Sequence, residues 1–120
     1  DFECIQDFEC IQDFEQRVSQ SLRDDPAQRQ QRLRSAPKKT KQLMLTTRVF
    51  DRNPDVVAEV LDRANGRCEG CKKDAPFKRA SNSSPYLEVH HRVTLAKGGD
   101  DTVENAIGLC PNCHRKAHFG

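Results

Sequence analysis

The sequence predicts a small α+β domain stapled by zinc and preceded by a helical, basic segment, and three observations carry that expectation. Cys68/Cys71 and Cys110/Cys113 are two Cys-x-x-Cys pairs at the spacing of zinc ligands. Only 35% of the 120 residues are hydrophobic, 32% are charged and Trp is absent, so the apolar core is small and needs a disulfide, a metal or a partner. Helix signals at Asn53-Pro54 and Pro111 flank one alternating, strand-like run, Tyr86 to His91, which gives both element types but no βαβ repeat.

A chain of this length supports one domain with flanking material. The expected division is a helical and linker segment over 1–42 and the metal-stapled domain over 43–120. The formal net charge of +2 hides a segregation. Asp1 to Glu15 carries six acids and no base, whereas Leu22 to Phe50 carries eight bases against Asp24 and Asp25. That basic stretch suits a polyanion better than an apolar partner. No apolar run approaches the roughly 18 residues of a membrane span and no signal-peptide pattern is visible, so no membrane partner is expected. Six cysteines would allow three disulfides, but four of them in tight pairs read as zinc in a reducing, cytoplasmic setting. The chain does not begin with Met, as expected of the carboxy-terminal part of something longer or of an expressed fragment.

The chain opens DFECIQ, DFECIQ, DFEQ. Phe2, Ile5, Phe8, Ile11, Phe14 and Val18 recur at three- and four-residue spacing, which predicts an amphipathic helix burying one stripe against a partner or another domain. A local duplication or cloning scar explains the repeat equally well, and Cys4 and Cys10 within it are not assigned to metal. From Gln16 to about Lys41, Pro26 and Pro37 punctuate a polar run: a helix end, a second short helix, then a linker. Its bases are solvated surface or an arm that tracks phosphates. Leu43 to Phe50 predicts a short strand or an extended lead-in.

Asn53-Pro54-Asp55 then opens a helix, with Asn as N-cap, Pro in the first turn and Asp at the positive end of the dipole. Val56, Val57, Val60, Leu61 and Ala64 form its buried stripe, and Asn65-Gly66 stops it. Cys68-Glu69-Gly70-Cys71 reads as a tight turn in which Gly70 permits an unusual torsion. After a polar connection, Tyr86 to His91 forms a strand, Gly98-Gly99-Asp100-Asp101 a turn, and Pro111 starts a final helix to about His118.

Four thiolates on two such turns close a tetrahedral site and leave no position open for substrate, so a zinc ion there is structural. Cys110 and Cys113 also sit at a helix start, where the dipole favours thiolate. All four histidines lie outside that tetrad. His114 and His118, at i and i+4, share a helix face, while His90 and His91 point to opposite sides of their strand. One of the latter pair therefore binds a second metal while the other faces elsewhere, for instance a water.

LEVHHRVTLAKGGDDTVENAIGLCPNCHRKAHFG resembles the HNH (ββα-metal) endonucleases, and most closely the zinc-containing subgroup at the carboxy end of McrA-like, modification-dependent restriction enzymes. The resemblance covers about 53–120, with fourteen residues from His91 to Asn105, nine more to His114 and four more to His118. It implies that His90 and His114 hold a catalytic divalent ion and that His91 is the general base for the attacking water. Asn105 holds the loop of that base, and His118 completes the metal site or contacts the scissile phosphate. Imidazole titrates near neutral pH, as a general base should, and does not itself select among Mg2+, Mn2+, Ni2+ and Zn2+. The implied reaction is DNA phosphodiester hydrolysis leaving a 5′-phosphate and a 3′-hydroxyl. The implied setting is an intracellular prokaryotic or phage-type restriction system, with the specificity domain outside this chain and a homodimer left open. Two departures are Arg92 and Thr94, where the family often has Ile and Pro; neither removes a catalytic group.

The alternative is a non-catalytic zinc-binding module that grips nucleic acid or protein. His90, His91, Asn105, His114 and His118 together favour the enzyme, because a binding module does not need all five. A redox role for the cysteine pairs lacks the surrounding βαβ pattern.

Overall fold

The Asn53 side chain accepts the Asp55 amide at 2.9 Å and Pro54 begins the helix behind it. A cap of this kind contributes about 1 kcal/mol. The resulting helix turns Val56, Val60 and Ala64 inward and stops where Asn65 takes a left-handed φ of 51°. The computed structural model describes residues 5–120, with side chains from Asp13 onward. Its helices are α1 (Ile5–Arg23), α2 (Pro26–Ser35), α3 (Pro54–Ala64) and α4 (Pro111–Phe119); its strands are β1 (Glu88–His91) and β2 (Ala106–Leu109). Two short 3-10 turns, Leu95–Lys97 and Val103–Asn105, lie between the strands. This is the small α+β architecture expected.

Residues 50–120 form one compact unit and the segment ending at Val49 another. In the first, β1 and β2 pair antiparallel, with Glu88 opposite Leu109 and His91 opposite Ala106. Val56 and Val60 of α3 pack with Val89 and Ala106 of the hairpin. A neighbouring cluster joins Ala64, Leu87 and Leu109 to Cys68, which has no exposed surface. The core therefore runs directly into the cysteine turn. Arg63 fastens that junction: its guanidinium donates to both carboxylate oxygens of Glu69 at 2.8 Å and to the Ala106 carbonyl at 2.8 Å. Glu69 in turn accepts the Gly108 amide at 2.8 Å. The connection before β1 closes over a Phe77–Tyr86 stack, ring centroids 4.6 Å apart, with the Arg79 guanidinium 4.4 Å above the tyrosine ring.

In the other unit α1 ends at Arg23 and α2 begins at Pro26, where Asp25 caps it by accepting the Ala27 amide at 3.2 Å. Asp24 pairs with Arg32 at 3.0 Å and Arg29 donates to the Ser21 carbonyl at 2.8 Å. The expected stripe of α1 faces solvent where its side chains are described: Phe14 is 63% exposed and Val18 42%. Phe2 and Cys4 lie outside the described residues, as does the side chain of Cys10. The strand entertained for Leu43–Phe50 does not form: the segment is neither helix nor strand, and Met44 is fully exposed. Without a neighbouring strand to take its backbone groups, β propensity alone does not make one. No helix among the described residues is long and apolar enough to cross a membrane.

Candidate active site

The two cysteine pairs, separated by thirty-nine residues, meet because the turn before α4 follows directly from β2. One candidate ligand atom from each of Cys68, Cys71, Cys110 and Cys113 lies within 4.8 Å of the others, and all four are free thiols. The Cys71–Cys110 sulfur separation is 4.0 Å. A tetrahedral ion with sulfur ligands at about 2.3 Å requires an edge of about 3.8 Å. The donor set and its spacing therefore suit a metal ion. In both pairs the second amide donates back to the first sulfur, Cys71 to Cys68 at 3.4 Å and Cys113 to Cys110 at 3.5 Å. Burial pushes the Cys68 thiol up, but the amides of Cys110, Cys71 and Gly70 outweigh it and draw it down to about 6. Cys113, hydrogen-bonded to the Cys110 sulfur and crowded by the other two, is pushed up to about 12. Four thiolates cannot ionise together without a cation between them.

Gly70 does not adopt the torsion expected of it; the left-handed residue of the turn is Lys72, with φ 65°. What a side chain would meet there is crowding, since a Cβ at Gly70 would stand 3.0 Å from Leu109 Cδ2, which would have to give way by a few tenths of an ångström. The turn lies flat against the hairpin core.

A second cluster stands on the hairpin and the last helix. His90 from β1 and His114 and His118 from α4 bring one ring nitrogen each within 4.8 Å of the others. The Nε2 atoms of His114 and His118 are 3.0 Å apart, and an ion with nitrogen ligands at about 2.0–2.1 Å needs about 3.3–3.4 Å. His90 is 8% exposed and His114 4%. His114 Nδ1 lies 2.8 Å from Glu88 Oε1, which directs the opposite nitrogen into the cluster. The other oxygen of Glu88 accepts the Tyr86 hydroxyl at 2.6 Å. Burial raises the Glu88 carboxyl, but the Tyr86 hydroxyl and His114 outweigh it and hold it below the ordinary range.

His91 leaves the strand on the opposite side, as alternation requires, and is 1% exposed. Its Nε2 sits 2.9 Å from Asp101 Oδ1, while Asp101 Oδ2 accepts the Asn53 amide at 2.6 Å. Asn105 laces the intervening loop. Its side-chain amide donates to the carbonyls of Val93 (2.9 Å) and Asp100 (2.7 Å), and its side-chain oxygen accepts the Val93 amide at 3.0 Å. The loop tightens further at Gly99, where a Cβ would fall 1.8 Å from the Val93 carbonyl oxygen.

The structure thus brings the four cysteines into one group and His90, His114 and His118 into another, with His91 and Asn105 on the adjoining loop side. Sequence reasoning missed Glu88 and Asp101. Glu88 had a signal, since period-two alternation puts it on the face of His90. Asp101 had none, lying beyond a glycine turn whose path local pattern does not specify.

Residues 68–120 match the family model described as HNH endonuclease. Over 72 residues the chain is 49% identical to the type IV methyl-directed restriction enzyme EcoKMcrA of Escherichia coli, covering 60% of this chain and 26% of that protein. Over 31 residues it is 42% identical to Anaredoxin of a Nostoc species, covering 26% of this chain and 41% of that one. Among solved structures, the type IV phosphorothioation-dependent restriction endonuclease ScoMcrA matches with a TM-score of 0.53 and 37% identity. That alignment covers 59% of this chain and 15% of ScoMcrA, so the chain spans about a quarter or less of either restriction enzyme. Residues 68–120 thus resemble the HNH endonucleases, and the chain is similar in sequence to EcoKMcrA and in sequence and fold to ScoMcrA.

Proposed function

We propose that this chain is the nuclease part of a restriction-type enzyme that hydrolyses DNA phosphodiester bonds. The observation that carries the reading is the convergence of His90, His114 and His118 on one point, with His91 at the next strand position turned away to Asp101 of the loop that follows. A pure zinc module needs the cysteines alone. The catalytic domain is taken to occupy 43–120, and 1–42 to be a helical and linker segment that includes a basic arm following phosphates.

In this reading Cys68, Cys71, Cys110 and Cys113 hold a structural zinc ion. His90 and His114 hold a catalytic divalent ion, Mg2+, Mn2+, Ni2+ or Zn2+, with His118 completing the site. When bound, that ion supplies positive charge to the scissile phosphate and the departing 3′-oxygen. Glu88 keeps the His114 ring turned so that Nε2 faces the ion. His91 takes a proton from the attacking water. Asn105 keeps the His91 loop closed. The solvent-exposed Lys97, Arg115 and Lys116 add positive charge near the strand end and helix that bear the histidines. EcoKMcrA and ScoMcrA are named as methyl-directed and phosphorothioation-dependent, which supports a modification-dependent target for this chain, read by a domain beyond it.

The test is nicking of supercoiled plasmid, methylated, phosphorothioated and unmodified, with each of Mg2+, Mn2+ and Ni2+. The wild-type chain converts supercoiled to open-circular DNA, and His91→Ala is slower by about 10²–10⁴-fold. Equal cutting by both, or none by either on all three substrates, rejects the enzyme.

A further inference from the structure

We infer that Asp101 is the positioning residue for His91: its carboxylate fixes the imidazole in one orientation and one tautomer, with the proton on Nε2, and so makes Nδ1 the nitrogen that accepts a proton. The inference rests on the nuclease reading above for its role in the reaction, but not for its geometry.

The carboxylate is held from two sides. Oδ2 accepts the backbone amide of Asn53, the residue that caps α3, at 2.6 Å, and Oδ1 faces His91 Nε2 at 2.9 Å. Asp101 thereby links the start of α3 to a ring at the end of β1, forty-eight residues from Asn53 and ten from His91. Its neighbour is pinned as well, because Asn105 donates to the Asp100 carbonyl at 2.7 Å. Burial pushes the Asp101 carboxyl up, yet the Asn53 amide, His91 and Arg52 together hold it below the usual aspartate value. An ionised carboxylate only accepts hydrogen bonds, so the nitrogen facing it carries the hydrogen. The lone pair of the neutral ring is then on Nδ1.

The step that follows balances. A water O–H proton passes to Nδ1 as the water oxygen bonds to phosphorus. The P–O3′ bond breaks with its electron pair left on the 3′-oxygen, which ends protonated from solvent. The imidazolium faces the Asp101 charge until it returns its proton to solvent. Asparagine at position 101 keeps an oxygen for the Asn53 amide, but can present an NH2 group to Nε2. That donor favours the opposite tautomer, with the proton on Nδ1 and no base where one is needed. In a serine-protease triad the equivalent exchange costs about 10⁴ in turnover for this reason.

The test compares wild type, Asp101→Asn and Asp101→Glu, all zinc-loaded. Histidine-selective 15N NMR at pH 8.5 reads the His91 tautomer. The expected spectrum has Nε2 protonated in the wild type and Nδ1 protonated in Asp101→Asn. Plasmid nicking by Asp101→Asn then falls about 10²–10⁴-fold in kcat with KM changed less than about threefold, and Asp101→Glu recovers part of the loss. A carboxylate that merely anchors the cap of α3 would change the melting temperature and leave the tautomer alone. The same tautomer in wild type and Asp101→Asn overturns the inference, as does wild-type kcat in Asp101→Asn. Should the wild type cut none of the three DNAs, the nuclease reading and the Nδ1 proton transfer fall together. The NMR comparison still decides whether Asp101 sets the ring.

Discussion

The cysteine tetrad and the histidine triad are built from adjacent segments, yet they solve opposite problems. The tetrad draws its four thiols from two turns, and one of them, Cys68, is itself part of the apolar core. Its amide donors are local, and with four thiolates nothing is left open for a substrate. The triad draws three imidazoles from a strand and a helix, and a tetrahedral ion held by three ligands would keep one position for something else. The His114 ring is oriented from outside, by the Tyr86–Glu88–His114 chain of hydrogen bonds. Of the tetrad only Cys68 is buried and Cys71 is exposed, whereas His90 and His114 of the triad are both buried.

If the comparison holds, the largest effect belongs to the tetrad. Cys110→Ser, or removal of zinc with a strong chelator, abolishes the folded unit of residues 50–120, because metal binding at such a site is folding free energy, about 10–16 kcal/mol in small zinc domains. His118→Ala, by contrast, keeps the fold and loses the second metal. Circular dichroism with metal analysis of the two variants makes the contrast visible, and a folded, zinc-free Cys110→Ser protein would break it. Next in size is Glu88→Gln. The variant retains its tetrad zinc but binds Mn2+ or Ni2+ at the triad about 10–100-fold more weakly, measured by calorimetry. Unchanged affinity would mean that His114 needs no brace. The smallest effect is at Gly70→Ala, where the new Cβ meets Leu109 at 3.0 Å. Overpacking of this kind costs about 1–3 kcal/mol, seen as a fall in melting temperature with zinc still bound. Were the melting temperature unaltered, the turn would not lie as tightly on the core as the tetrad's role in folding requires.

Much of this was legible from residue types and spacing. The capped start of α3, its valine stripe, the alternation that separates His90 from His91, and the i, i+4 pairing of His114 with His118 are local periodicities. They survive without knowledge of the rest of the chain. The meeting of the two cysteine pairs was also readable, since a closed four-thiolate site needs both. Two expectations went differently because they depended on neighbours. Leu43–Phe50 has strand-forming residues but no partner strand, and what is particular at Gly70 is the nearness of Leu109, not its torsion.

By itself, then, the sequence determined the element types, the separate grouping of thiols and imidazoles, and the likeness to the HNH endonucleases, all of which follow from short-range pattern and ligand chemistry. Only the tertiary structure decided which carboxylates serve which histidines. Glu88 reaches His114 across twenty-six residues, and Asp101 reaches both His91 and the amide of Asn53. Those hydrogen bonds need atoms placed within about 3 Å by the packing of α3 and α4 on one hairpin, and no local spacing in the chain encodes that approach.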